Sequence, residues 1–136
     1  MAEKLSMTVM TGSIDRLTGM AILAGGAAGM DVEVEIFLQL WGVYAFKKDV
    51  IKENMHLSEF KEKGEQVVKR MKELNLPMWF DTLKEARESG KVSIYACSTA
   101  SRIWDVNKED LEMVDDIIGA GEWVLKSKDA AITLFI

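Results

Sequence analysis

The sequence predicts a doubly wound α/β fold, a three-layer sandwich around a mainly parallel sheet of about five strands. Three observations carry that expectation. Short apolar or alternating runs recur five times along the chain, and segments of helical spacing separate them. Glycines and hydroxyl residues mark the joins. At 136 residues, with no internal repeat and no linker-like stretch, the chain reads as one domain over 1–136.

The elements follow in order. In residues 4–11, Leu5, Met7 and Val9 alternate with Ser6 and Thr8, and Met10 is apolar as well. This is a strand whose end is buried on both faces. Thr11-Gly12-Ser13 turns the chain, with Ser13 placed to cap a helix. That helix carries Ile14, Leu17, Ala21, Ile22, Leu23 and Ala24 and ends at Gly29, where glycine suits a left-handed stop. From Asp31 the period becomes two: Val32, Val34 and Ile36 oppose Glu33 and Glu35 until Phe37-Leu38, a strand with its first half at an edge or one-sided. It ends at Gln39-Leu40-Trp41-Gly42.

Tyr44 to His56 has no clear period and reads as a loop or an irregular helix over the sheet. Ser58 starts a helix in which Phe60, Gly64, Val67, Val68, Met71 and Leu74 recur beside a solvated face of lysines and glutamates. Pro77 opens a shorter helix with Trp79, Phe80, Leu83 and Ala86, stopped by Gly90. Lys91 to Ala96 is the third strand, Cys97 sits at its carboxyl end, and Ser98-Thr99-Ala100-Ser101 starts a helix. Val114 to Ile118 is a short fourth strand. Ala120, Trp123, Val124 and Ser127 fit a helix, and Ala130 to Ile136 is the last strand.

Composition excludes several functions. With 17 basic and 22 acidic residues the net charge is -5, the wrong sign for gripping a phosphate backbone, so nucleic acid is not expected as a partner. One proline and ten glycines argue against disorder. The single cysteine, Cys97, rules out an internal disulfide and a thiolate-rich metal site. With one histidine, His56, a zinc site would have to draw on carboxylates, so neither a metal nor another cofactor is expected. Met1-Ala2-Glu3-Lys4 shows no secretory signal. The weakly polar run Met20 to Met30 falls well short of the ~20 residues a bilayer requires. The expectation is a cytoplasmic protein without membrane attachment.

Parallel α/β folds bind and react at the carboxyl ends of their strands. That rule brings together Thr11-Gly12-Ser13, Gln39-Leu40-Trp41-Gly42 and Cys97-Ser98-Thr99. A cysteine just before a helix feels the positive end of the helix dipole, which favours the reactive thiolate. Against this stands the plainer reading of a lone cysteine as a small buried hydrophobe. Thr11 and Ser13 equally read as turn and cap residues, and Trp41 as packing. Gly25-Gly26-Ala27-Ala28-Gly29 resembles a phosphate loop, but it lies at the wrong end of a helix and lacks the lysine-serine pair. Close packing of helix on sheet is its expected role. Glu33 and Glu35 read as solvated edge residues, His56 has no spacing that makes a Cys/His dyad, and Asp115-Asp116 leads into a strand.

Several segments together resemble the DsrE/DsrF/DsrH-like family. They are Met7-Thr8-Val9-Met10-Thr11-Gly12-Ser13, Gly25 to Met30 leading into Val34-Glu35-Ile36-Phe37, Leu40-Trp41-Gly42, Val92 to Cys97, and Ala130 to Ile136. The resemblance implies a DsrE-like, flavodoxin-like α/β subunit that assembles as a homotrimer or homohexamer. It implies that Cys97 carries sulfur as a persulfide or thiosulfonate and exchanges it with a thiol-bearing donor or acceptor protein, TusA-like or rhodanese-like. It also implies a glycine several residues after the cysteine, where this chain reads Ser101-Arg102-Ile103-Trp104-Asp105-Val106.

The expected function is therefore a sulfur carrier or sulfurtransferase subunit acting through Cys97. Thr11, Gly12, Ser13, Trp41, Gly42, Ser98 and Thr99 are its candidate binding residues. Amides at residues 98–99 and the Thr11 and Ser13 hydroxyls are placed to stabilise sulfur anion charge, and Trp41 to wall the site. The alternative is a non-catalytic oligomeric interaction subunit with a structural cysteine. A nucleotide- or flavin-binding sheet is a third reading, disfavoured by the glycine pattern of the first turn.

Overall fold

The computed structural model describes residues 3–136; Met1 and Ala2, part of the start read above as lacking a leader, lie outside the described residues. The alternating runs become β1 (Lys4–Val9), β2 (Glu33–Leu38), β3 (Val92–Cys97), β4 (Asp116–Ile118) and β5 (Ile132–Phe135). The helical segments become α1 (Ile14–Gly29), α2 (Trp41–Ala45), α3 (Gly64–Glu73), α4 (Trp79–Glu88), α5 (Ser98–Ile103) and α6 (Ala120–Ser127). The strands form one sheet in the order β4-β3-β2-β1-β5. Every ladder is parallel.

The two faces of this sheet differ in chemistry. Leu5, Met7 and Val9 of β1, Val34, Ile36 and Leu38 of β2, and Val92, Ile94 and Ala96 of β3 share one face, because side chains alternate along a strand and the ladders hold these residues in register. All nine are buried. Ile14, Leu17, Met20, Ala21 and Ala24 of α1 and Trp79, Leu83 and Ala86 of α4 close over them. The opposite face carries Lys4, Ser6 and Thr8, Glu35 and Phe37, and Ser93, Tyr95 and Cys97. It is covered by α6, pinned by Trp123. That indole stacks on Phe37 with ring centroids 5.2 Å apart and donates from Nε1 to Thr8 Oγ1 at 3.0 Å. A sandwich of three layers results, with a thin third layer.

This arrangement follows from connection handedness. Right-handed crossovers that step in one direction along the sheet leave their helices on one face. The steps from β1 to β4 all run one way; the return past β1 to β5 reverses direction and carries α6 to the other face.

Several local expectations are corrected. β2 is the middle strand, not an edge, and Glu35 pairs with Lys4 at 2.6 Å. α1 ends at Gly29 as expected, but the left-handed residue is Asp31, with φ 64°. Gly25 lies toward Thr82 of α4, and Gly26 and Gly29 face open space, so the glycine-rich segment does not serve close packing on the sheet. Ser58 does not start a helix: Phe60 takes a left-handed φ of 47°, a short 3-10 turn spans Lys61–Lys63, and α3 begins at Gly64. Residues 44–56 complete α2 and then run through successive turns, with an isolated bridge between Lys47 and Leu111. Asp105 adopts φ 52° where the resemblance implied a glycine, a conformation that aspartate tolerates better than most residues.

Candidate functional site

Two of the three strand-end segments meet as expected. The turn after β1 and the turn after β2 lie against each other because two glycines remove the atoms that would keep them apart. A Cβ on Gly12 would sit 3.0 Å from the Trp41 carbonyl oxygen, and one on Gly42 would run into the carbonyl oxygen of Val9. The Gly42 amide donates to the Met10 carbonyl at 3.2 Å. Gly42 is therefore a close-approach residue, buried and not among the residues lining the neighbouring cavity. Between the two turns Leu40 holds φ 41° and ψ -108°, a costly conformation for a branched side chain. That backbone leaves Trp41 54% exposed. Its indole lies 5.0 Å from Trp104 and 5.6 Å from Tyr44, and Trp104 Nε1 donates to the Leu40 carbonyl at 2.8 Å.

Beside this cluster is a cavity of about 780 Å³, within the ~300–1,000 Å³ typical of ligand sites. Thr11, Gly12, Ser13 and Trp41, which the sequence grouped with Cys97, line it. The rest of its wall includes Arg16 from the first turn of α1, Tyr44 from α2, Asp49, Asn54 and His56 from the segment without periodicity, and Lys61 from the 3-10 turn. It sits at the carboxyl ends of β1 and β2, and β1 is where the winding reverses toward β5. Ligands of open α/β sheets bind at such reversals.

A strap from Asn54 to Ser58 closes one side of the cavity and caps α1. Ser13 is the N-cap residue, yet its hydroxyl makes no cap bond; it pairs with Thr11 Oγ1 at 2.8 Å, and the Ser13 amide donates to the same Thr11 oxygen. The strap takes over. The Ile14 amide donates to the His56 carbonyl at 2.8 Å, and Asn54 Nδ2 donates to the Gly12 carbonyl at 2.8 Å. The Ser58 amide donates to Asp15 at 3.0 Å, and the Ser58 hydroxyl donates to the other carboxylate oxygen. Desolvation pushes the Asp15 carboxyl up, but hydrogen bonds from the Ser58 hydroxyl, the Ser58 and Arg16 amides and the Ser13 side chain outweigh it. They hold the carboxyl below its ordinary range.

Cys97, Ser98 and Thr99 occupy the same rim but do not line the cavity. Cys97 ends β3, two strands from β1, a lateral offset of about 10 Å. The cluster of Trp41, Tyr44 and Trp104 stands between them in the chain order of the rim, tied to α5 through Trp104. Cys97 is a free thiol, 7% exposed. It shares its face of the sheet with Tyr95, the face that α6 covers. Its ladder partner is Ile118, and Gly119-Ala120-Gly121, exposed and opening α6, follow directly. The start of α6 thus follows directly on the ladder partner of Cys97, while residues 98–99, to which the sequence pointed, open the six-residue α5. Pleat parity and the final crossover decide this, and no short window of sequence contains both.

No group of three or more histidine, cysteine, aspartate or glutamate side chains that could hold a metal ion occurs among the described residues. No helix among them is long and apolar enough to cross a membrane.

Comparison with known proteins agrees with this architecture. Two solved structures match at a TM-score of 0.60. The protein of unknown function MTH1491 from Methanobacterium thermoautotrophicum is 15% identical, with 98% of this chain and 99% of that one covered. The ychN protein from E. coli is 13% identical, with both chains covered fully. At those identities the likeness is one of fold. The uncharacterized protein YrkE of Bacillus subtilis (strain 168) is 25% identical over 158 residues, covering 98% of this chain and 97% of that protein. The sequence profile of the DsrE/DsrF/DrsH-like family matches residues 1–82, a segment that contains every residue lining the cavity and stops before Cys97. The chain belongs to the DsrE/DsrF/DrsH-like family.

Proposed function

We propose that this chain, as a single domain, is a sulfur carrier that relays sulfane sulfur through Cys97. Family membership suggests a role related to sulfur relay. The observation that carries the finer reading is the position of the chain's only thiol at the carboxyl rim of the sheet, next to the glycine-flanked start of α6. The Cys97 thiolate attacks the outer sulfur of a donor persulfide, R–S–SH. The Cys97 S–S bond forms as the donor S–S bond breaks, and RS⁻ leaves with the electron pair. An acceptor thiolate then attacks the outer sulfur of Cys97–S–SH and restores the Cys97 thiolate. Sulfur moves without a net oxidant, and the partner protein supplies the second thiol. Donor and acceptor are thiol-bearing proteins, and the working form is a homo-oligomer in the cytoplasm.

Incubation with a persulfide, thiosulfate or tetrathionate donor, followed by intact mass measurement, tests the reading. The wild-type chain gains sulfur-containing adducts and Cys97→Ser does not. Adducts on neither protein, or equally on both, overturn it.

A second reading, an interaction subunit with a packed cysteine, is favoured by one observation: Cys97 is only 7% exposed. It requires native alkylation of Cys97 to be as slow as for a core thiol and to become fast only on unfolding.

A further inference from the structure

We infer that the cavity between the β1 and β2 turns binds a small oxyanion with a flat apolar body, such as an aromatic carboxylate. Several polar groups of the wall already have partners. Asn54 is spent, because its Nδ2 holds the Gly12 carbonyl and its Oδ1 accepts the His56 amide at 3.0 Å. Asp49 lies 3.8 Å from Lys47 Nζ. Arg16, Lys61 and Glu53 have no ion-pair partner among the described residues. Arg16 and Lys61 are thus cations without a carboxylate partner, while the formal charge of the lining is balanced by Glu53 and by Asp49, whose partner Lys47 lies outside the cavity.

The hydroxyls of the turn are spent as well. Thr11 and Ser13 bond to each other through one hydroxyl hydrogen, and Thr11 Oγ1 also accepts the Ser13 amide. The Ser13 side chain also bonds Asp15, so the pair is satisfied internally. It lies at the mouth of α1, whose first turn also carries Arg16. The lining also includes Trp41, Tyr44, Val50 and Leu57. Trp41, which follows the left-handed Leu40, is 54% exposed. An aromatic ring against Trp41 and an oxyanion toward Arg16 and Lys61 use the unspent groups except Glu53, which accepts a hydrogen-bond donor or stays in water.

This site does not depend on sulfur chemistry, since Cys97 does not line the cavity. The test therefore keeps the two apart. Titrate the full chain with naphthoate and with its uncharged counterpart naphthalenemethanol, following tryptophan fluorescence and heat. Naphthoate binds with a Kd below about 1 mM, and naphthalenemethanol binds roughly tenfold more weakly or worse. Arg16→Gln and Lys61→Gln each weaken naphthoate about tenfold and leave naphthalenemethanol unchanged. Cys97→Ser binds as wild type does. Both charge variants alter exposed side chains, and far-UV circular dichroism verifies that they fold. Equal affinity for the two probes, no saturation at millimolar naphthoate, or unchanged naphthoate binding in the Arg16→Gln, Lys61→Gln double variant overturns the assignment.

Discussion

Gly42 and Leu40 show how single residues set the rim. Neither position is read from composition: Gly42 is needed for space, not for a left-handed φ, and Leu40 holds a positive φ that a glycine would hold more easily. Gly42→Ala forces a Cβ into the Val9 carbonyl and costs about 1–3 kcal/mol of stability, the usual range for overpacking. Gly12→Ala meets Trp41 at 3.0 Å and costs less, because the clash can be relieved by a few tenths of an ångström. Urea unfolding of both variants checks the order, and an equal cost would mean that the two turns are not wedged as described. The rim positions of Cys97, Thr11, Ser13 and Trp41 were legible at this scale because Cys97 ends, and the others follow, a strand that its own alternation reveals. Arg16 and Lys61 were not, since a cation on a helix or turn carries no sign of whether it faces water or a cavity.

Elements that lack periodicity were the illegible ones, and the strap from Asn54 to Ser58 explains why. Its order comes from bonds to the start of α1, some 42 residues away, rather than from its own pattern. The Asp15–Ser58 contact fixes its far end. Because the folded Asp15 carboxyl lies below its ordinary value, this contact stabilises the protein above pH ~4. That stabilisation fades as pH falls from there through the folded value. Ser58→Ala removes two bonds' worth of anchoring only in part, since the amide remains, so its cost at neutral pH is about 1 kcal/mol or less for a solvent-screened contact. Measured between pH 2 and 7, Ser58→Ala should lose less stability on acidification than wild type does. A parallel loss in the two proteins would remove Asp15 from the account. α3 shows the same limit: its apolar period was legible, but its start was displaced to Gly64 by the left-handed Phe60.

At the scale of the molecule, the third layer is the weak part. α6 has eight residues, too few to persist alone, and Trp123 is its buried side chain. Trp123→Ala loses the Phe37 stack and the Thr8 bond and costs about 3–5 kcal/mol. The same change opens the face on which Cys97 lies, so alkylation of the native thiol should accelerate. Unaltered alkylation together with an unaltered unfolding midpoint would mean that α6 is held by other contacts.

By itself the sequence determined the kind of fold, the number of strands and the strand-end position of the lone thiol. Those depend on period and punctuation, which act within a few residues. The tertiary structure alone decided that β2 is central, that Cys97 takes the polar face under α6, and that a cavity forms between α1, α2 and a strap without pattern. Each of these depends on which distant segments come into register, and loop closure and crossover handedness impose that on the chain as a whole.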